Sequence, residues 1–162
     1  MERRVQLLLL IIFCISLDLT DAIAAPAAAS APAAKDKCPV CGMFVAKYPD
    51  WVAFAKTRDG QTFYYDGPKD LFTHYFHAAR YTPGKQQSDI SGLSVKEYYS
   101  LKTIDAKGAF FVVGSDVYGP MGAELIPFAS QKDAASFMND HQGKRILRFN
   151  DITPHLLKEL MK

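Results

Sequence analysis

The stretch Thr62-Phe-Tyr-Tyr-Asp-Gly-Pro-Lys-Asp-Leu-Phe72 leads directly from a strand pattern into a helix pattern. Its aromatic and β-branched first residues favour a strand, and Asp66-Gly67-Pro68 is typical of a capped helix start. From its last two residues onward, apolar side chains recur on one helical face, at Leu71, Phe72, Tyr75, Phe76 and Ala79. Residues 51–57 precede the turn signal Arg58-Asp59-Gly60 and predict a hairpin partner for the strand. The stretch therefore predicts a ββα unit.

A second passage follows the same plan further along the chain. Residues 109–113 predict a buried strand, residues 123–128 its partner strand, and residues 130–140 a helix. The two passages align at a spacing of 63 residues, which pairs Lys69 with Lys132 at the strand-to-helix junctions. We therefore predict an α+β fold in which two degenerate ββα-type repeats pack as one compact domain.

Additional elements complete the predicted fold. Residues 93–104 predict one more strand, and residues 145–149 predict another. Thr153-Pro154 is typical of a helix start, and we expect this C-terminal helix to dock through its leucines, Leu156, Leu157 and Leu160.

The composition suits one folded domain. The chain has 162 residues, of which 49% are hydrophobic and 22% charged, so there are enough apolar side chains for a core. Its formal net charge is +2, and no run of like charge stands out. Nothing in the charge pattern indicates nucleic-acid binding.

The N-terminal residues have the pattern of an export signal. Arg3 and Arg4 precede an apolar run over residues 7–15, which is shorter than the roughly 20 residues that span a bilayer. The small-residue pattern that signal peptidase cuts ends at Ala24, so we predict a signal peptide over residues 1–24. The protein is then expected to be periplasmic or otherwise exported.

The segment after the signal predicts a tether followed by the folded domain. Residues 25–34 consist almost entirely of alanine and proline, which predicts a linker, and residues 35–162 would form the domain. An uncleaved anchor and a lipoprotein that begins at Cys14 are alternatives for the N-terminus. Phe13 argues against lipidation, because lipid-attachment sites have a small residue before the cysteine.

Cleavage of the signal would leave Cys38 and Cys41 as the cysteines of the mature chain. A pair so close in sequence cannot staple distant parts of a fold, so a structural disulfide would have little purpose. In an oxidising compartment, metal binding and redox exchange are the reasons for two such thiols to stay reduced. Gly42 would let the backbone turn beneath both sulfurs.

Methionines near the cysteine motif and on a later loop offer a second type of sulfur donor. Met43 follows the cysteine pair, and thiolate and thioether sulfur together select Cu(I), although Met43 taken alone also suits a core. Met121 lies between glycines and a proline, which predict a loop. On an exposed loop this methionine has no core to fill; the alternative is a loop that folds back over the core.

The histidines leave further alternatives open. His74 and His77 are three residues apart on the first predicted helix and could complete a Cys2His2 zinc site with the cysteines. His141 follows the second predicted helix, where the helix dipole favours a cation, and a metal-ligand role is the alternative.

Three stretches of the sequence, taken together and in this order, are specific enough to indicate a protein family. They are Cys38-Pro-Val-Cys41-Gly-Met43-Phe-Val, Gly119-Pro-Met121-Gly-Ala-Glu-Leu-Ile-Pro-Phe128, and Phe137 through His141-Gln-Gly143 into Arg148-Phe149. At these residues the sequence resembles the NosL-type copper chaperones of nitrous-oxide reductase maturation. The resemblance implies an exported protein of paired ββα units, similar in arrangement to organomercurial lyase, that binds one Cu(I) through cysteine, methionine and histidine.

The resemblance also implies a ligand set and a role. Cys41 and Met121 come first as Cu(I) ligands and Met43 next; Cys38 follows, since many relatives keep only the second cysteine, and His141 aligns with a histidine often seen in the family. The implied role is that of a non-enzymatic metallochaperone, which passes copper towards nitrous-oxide reductase through a membrane transporter complex. Many members are lipoproteins, so membrane association of this chain stays open.

Other functions remain as alternatives to copper transfer. One is a Cys-x-x-Cys dithiol oxidoreductase, and another is a small structural zinc-binding module. A thioredoxin-like motif follows a strand and opens a helix, whereas this pair follows a tether and precedes Gly42. A homodimer with a shared site would be compatible with so few ligands.

Overall fold

The computed structural model describes residues 31–161, which form antiparallel sheets and helices. The mixed α and β class that the sequence predicts is confirmed. The predicted signal peptide over residues 1–24 and the first part of the predicted tether lie outside the described residues.

The first sheet contains the predicted hairpin. β1 (Ala53–Thr57) pairs antiparallel with β2 (Thr62–Tyr65) on one side and with β3 (Ile90–Lys96) on the other. β4 (Thr103–Asp105) extends the sheet, which has the order β2-β1-β3-β4. The turn between β1 and β2 contains Gly60 at φ +88°, a left-handed conformation that glycine adopts without steric cost.

The prediction of one continuous strand over residues 93–104 is wrong, because the chain turns between β3 and β4. At this turn Glu97 Oε2 accepts hydrogen bonds from the backbone N–H and the hydroxyl of Ser100, each at 2.6 Å. Leu101 adopts φ 56° there, a conformation that residues other than glycine seldom adopt. Neither glycine nor proline marks this turn in the sequence.

α1 (Pro68–Phe76) begins where the strand-to-helix pattern predicts it. Gly67 is the N-cap, and Pro68 fills the first helical position, where its missing N–H costs nothing. Leu71 is fully buried, as the helical spacing predicts. The helix ends at Phe76, and the short α2 (Ala78–Tyr81) follows, so the predicted apolar face runs over two helices.

A second sheet and a small hairpin follow. β5 (Phe110–Val113) leads to a hairpin made of β6 (Tyr118–Gly119) and β7 (Gly122–Ala123), which we call the β6–β7 hairpin. β8 (Ile126–Phe128) and β9 (Arg145–Arg148) then pair antiparallel with β5, and the order of this sheet is β8-β5-β9.

The later helices begin as predicted. α3 (Gln131–Asp140) and α4 (Pro154–Glu159) each follow a hydroxyl side chain that accepts a hydrogen bond from a backbone N–H of the first turn. The strand predicted over residues 123–128 is shorter than expected, because Ala123 belongs to the β6–β7 hairpin.

The two sheets have related strand orders. In each, the first strand of a hairpin lies between its partner and the strand that follows the helix. The degenerate ββα repeat and the likeness to organomercurial lyase stay predictions. A first hydrophobic cluster includes Phe72 and Phe111, and a second includes Phe128 and Phe137. Cys38 belongs to the first cluster, so the cysteine loop rests on the core that α1 helps to form.

Candidate metal centre

The cysteine motif forms a closed loop. The backbone N–H of Cys38 donates to Met43 O, and the N–H of Gly42 donates to Cys38 O, both at 2.9 Å. Gly42 sits at φ +80°, which only glycine adopts without strain. The turn that Gly42 was expected to allow is therefore confirmed, and both cysteines are free thiols.

Two carboxylates cover the cysteine thiols. The Cys38 thiol donates to Asp70 Oδ2 at 3.2 Å, and the Cys41 thiol donates to Asp66 Oδ1, also at 3.2 Å. One ligand atom from each of these four residues lies within 4.8 Å of all the others. We call this group the Cys/Asp cluster. It has the size of a metal site and combines soft sulfur with hard oxygen donors.

The carboxylates come from the junction between β2 and α1. Asp66 directly precedes the N-cap residue Gly67, and Asp70 lies in the first turn of α1. The expectation that Asp66 helps to cap the helix is not met, because the N-cap residue is Gly67, which has no side chain to accept a hydrogen bond. Asp66 Oδ1 accepts from the Cys41 thiol instead, and the described residues offer its buried Oδ2 no hydrogen bond. A buried oxygen without a partner carries a cost in free energy.

Burial keeps both thiols protonated. It raises the pKa of Cys38 far above the ordinary thiol value, and the neighbouring charge of Asp70 adds to the effect. Burial likewise raises the pKa of Cys41 to about 12, while a hydrogen bond from the Met43 N–H acts in the opposite direction. Burial raises the pKa of Asp70 as well. A metal that binds these sulfurs as thiolates must displace their protons.

The two cysteines differ in their exposure to solvent. Cys38 is only 1% exposed, whereas Cys41 is partly exposed. Cys41 is therefore the cysteine that a metal ion can contact as it enters or leaves the site.

The predicted methionine ligands lie in the cysteine loop and on the β6–β7 hairpin. Met43 is partly buried and closes the loop through its carbonyl group. Met121 lies at the tip of the hairpin with 45% of its surface exposed, so the interpretation of an exposed loop is confirmed. The Lys69 side chain donates to Met121 O at 2.6 Å, and Lys69 directly precedes Asp70 of the Cys/Asp cluster. The hairpin is thus attached to the helix turn that carries Asp70.

His141 lies among residues of the second hydrophobic cluster. It is the C-cap residue of α3, its ring stacks on Phe137 at 4.3 Å between ring centroids, and its Nδ1 lies 3.0 Å from Asp116 Oδ1. The structure does not include His141 in the Cys/Asp cluster. Its role as a ligand stays a prediction.

The histidines of the zinc alternative are not part of the Cys/Asp cluster. His74 is 1% exposed, and its Nδ1 and Nε2 contact Tyr65 Oη at 2.5 Å and Thr82 Oγ1 at 3.1 Å. His77 is exposed just beyond the end of α1. Because both ring nitrogens of His74 have partners and the cysteines face aspartates instead, the structure argues against a Cys2His2 site.

Asp66 and Asp70 were not among the site residues that the sequence predicts. Acidic residues at a helix start are common as caps and as partners of the helix dipole, so the pattern alone gave no reason to assign them to the thiols. Their spacing of four residues across the helix start was the available signal, since it can place two carboxylates on one side.

A family model, a named relative and a solved structure that match this chain all carry the same family name. The family model described as NosL matches residues 29–157. The copper-binding lipoprotein NosL of Stutzerimonas stutzeri is 34% identical over 125 residues, which are 76% of this chain and 65% of that protein. The chain thus spans about two thirds of that relative's length. The crystal structure of the copper chaperone NosL from Shewanella denitrificans superposes with a TM-score of 0.69 at 25% identity, covering 81% of this chain and 99% of that one.

Proposed function

The chain belongs to the NosL family, and on that premise we propose that it is an exported chaperone that carries Cu(I) for the copper centres of nitrous-oxide reductase. Its relatives are named for binding copper and for acting as a copper chaperone, which is a non-enzymatic role. The copper ion is the cargo of such a protein, so binding must be tight and yet reversible.

The observation that carries the proposal is the pair of free thiols held within 4.8 Å of each other at one partly open position. Thiolate sulfur is a soft donor, and soft donors favour Cu(I) over harder ions. Cys41 and Met121 are the first proposed ligands, Met43 and Cys38 follow, and His141 is the last. The exposure of Cys41 and Met121 leaves the ion open to ligand exchange with a receiving protein.

The carboxylates have a separate proposed role. Oxygen donors suit harder cations than Cu(I), so we assign Asp66 and Asp70 to the thiols and not to the copper ion. Each accepts the hydrogen bond of one thiol, and this fixes the direction of each sulfur before copper arrives. A preformed arrangement of donors reduces the entropy cost of binding.

The proposed setting is an exported one. The relative from Stutzerimonas stutzeri is named a lipoprotein, and we propose that this chain also works outside the cytoplasm, beside a membrane transporter complex that receives its copper. Within residues 31–161, no helix has the length and apolar character needed to cross a bilayer. A homodimer with a site shared between protomers remains part of the proposal to be tested.

The dithiol oxidoreductase alternative is disfavoured by the same geometry. Reactive exchange cysteines have lowered pKa values, because the thiolate is the attacking species. In this protein burial instead raises the pKa of Cys41, to about 12, which disfavours the thiolate. The cysteine loop also precedes a single turn of 3-10 helix at Val45–Lys47, not the α-helix of a thioredoxin-like motif.

The test is an anaerobic Cu(I) titration against a chromophoric chelator, with a parallel Zn(II) titration. We expect Cu(I) to bind, and Cys41→Ser and Met121→Leu to weaken its binding. Met161→Leu is the matched control, because Met161 is also an exposed methionine but lies beyond α4. If Zn(II) binds in place of Cu(I), or if Cys41→Ser binds Cu(I) like the wild type, the proposed function is wrong.

A further inference from the structure

The β6–β7 hairpin is too small to hold its own position. Its ladder consists of the pairs Tyr118 with Ala123 and Gly119 with Gly122. A short two-stranded hairpin is marginally stable in water without outside contacts. The place of Met121 therefore depends on what attaches the hairpin to the rest of the domain.

Lys69 provides the first attachment. Its side chain donates from Nζ to Met121 O at 2.6 Å and to Ala123 O at 2.7 Å. The residue is only 3% exposed, and lysines are rarely buried so deeply without a specific partner. The ammonium group binds the carbonyl groups on either side of Gly122, so it fixes the tip of the hairpin and β7.

Glu124 provides the second attachment, in the opposite direction. It follows the hairpin, is 3% exposed, and its Oε1 accepts from the backbone N–H of Lys69 at 2.6 Å and from that of Leu125 at 2.9 Å. The carboxyl group fits between two glycines. A Cβ at Gly119 would lie 3.0 Å from Glu124 Cγ, and one at Gly67 would collide with Glu124 Oε2.

These reciprocal contacts, which we call the Lys69/Glu124 clamp, join the hairpin to the first turn of α1. That turn also carries Asp70, which accepts the Cys38 thiol hydrogen bond. The hairpin tip and the Cys/Asp cluster are therefore held by adjacent residues of one helix.

We propose that Lys69 and Glu124 are positioning residues for copper binding, which hold Met121 where its sulfur can complete the sulfur coordination begun by Cys41. The inference deepens the proposed function and rests on it. The clamp acts through the backbone of the hairpin, and neither of its side chains is a copper ligand. Its loss should weaken copper binding only as far as Met121 contributes to that binding.

A double-mutant cycle tests this dependence. In the full-length protein, Lys69→Met should weaken Cu(I) binding by about 10–100-fold, the usual effect of removing a residue that orients a metal ligand. In the Met121→Leu background the same change should weaken it by less than about twofold, because the ligand that the clamp positions is already lost. Lys132→Met is the matched control, since Lys132 is exposed at the equivalent position of α3 and should bind like the wild type.

A second pair of variants covers the case in which Lys69→Met does not fold. Glu124→Gln keeps an oxygen that can accept the two backbone N–H bonds and should retain wild-type affinity, whereas Glu124→Ala should lose about as much as Lys69→Met. Circular dichroism melting curves would verify that the compared variants are folded.

The outcomes separate this inference from the proposed function. If Cu(I) binding requires Cys41 but the clamp variants bind like the wild type, the inference is overturned and the chaperone proposal stands. Equal losses from Lys69→Met in both backgrounds would also overturn it, because the residue would then act independently of Met121. If Cys41→Ser has no effect, the proposed function itself fails.

Discussion

The Cys41 thiol donates a hydrogen bond to Asp66 Oδ1 across 3.2 Å, which joins residues 25 positions apart. The contact places a negative group beside the more accessible of the two sulfurs. A nearby carboxylate disfavours the thiolate, so it works with burial to keep this thiol protonated. Keeping this thiol protonated limits the thiolate chemistry, oxidation included, that modifies reactive cysteines.

Asp66→Asn should make Cys41 more reactive. The amide removes the negative charge and can donate to sulfur, so the pKa of Cys41 falls below its wild-type value of about 12. At a fixed pH the thiolate fraction rises by up to about tenfold for each unit of pKa. The rate at which iodoacetamide alkylates the metal-free protein reports the reactivity of Cys41. Asp140→Asn, on the exposed end of α3, is the control. Equal alkylation rates in the wild type and Asp66→Asn would contradict the account.

Gly42→Ala should impair both stability and copper binding. An alanine at φ +80° costs roughly 1–2 kcal/mol, and nothing lies within 4 Å of the added Cβ, so the cost is conformational. Gly84→Ala is a matched control, because Gly84 has φ +83° and equally open surroundings. Both variants should lose similar free energy of unfolding in urea, but only Gly42→Ala should weaken Cu(I) binding. Similar copper affinities in the two variants would show that the loop turn does not position the sulfurs.

The sequence predicts correctly those elements that depend on residues adjacent in the chain. The hairpin of β1 and β2 and the start of α1 follow from strand spacing and from Gly67-Pro68. The turn between β3 and β4 was missed, since it depends on the Glu97 side chain and on an uncommon conformation of Leu101.

The candidate site was predictable only in its local part. The cysteine pair and Gly42 are adjacent in sequence, so their joint geometry could be inferred from spacing. Asp70 meets Cys38 from 32 residues away, and Lys69 meets Met121 from 52 residues away. Contacts of this kind arise from the packing of α1 against the loop and the hairpin, which no short pattern contains.

His77→Ala should leave metal binding unchanged. His77 is exposed just beyond the end of α1. The cysteines are grouped with Asp66 and Asp70, and not with a histidine. The structural zinc module predicts the contrary result, a loss of metal affinity together with a loss of folding. Parallel Cu(I) and Zn(II) titrations with thermal unfolding distinguish the two. His155→Ala is the control, because His155 is an exposed histidine of α4. A loss of metal affinity in His77→Ala but not in His155→Ala would support the zinc module.

Glu124 should make the stability of the domain depend on pH. Burial raises its pKa to about 8 and the charge of Asp70 adds to this, whereas the N–H groups of Leu125 and Lys69 and the charge of Lys69 lower it. The same carboxyl has a pKa of 4.5 when unperturbed, so between these values the folded protein binds a proton that the unfolded chain does not. The free energy of unfolding then falls as pH rises, by at most about 1.4 kcal/mol per pH unit.

The sign follows from the proton balance. The stabilisation is complete below pH 4.5, where both states are protonated, and it is lost as the pH rises through about 8, where both are ionised. Glu124→Gln cannot ionise, so its stability lacks this component. Urea unfolding of the metal-free wild type and Glu124→Gln at about pH 5 and about pH 8 isolates the effect, because other titrating groups are common to both proteins. The wild type should lose stability relative to the variant at the higher pH. A difference that does not change with pH would mean that Glu124 is already ionised in the folded clamp, where Lys69 would then neutralise it.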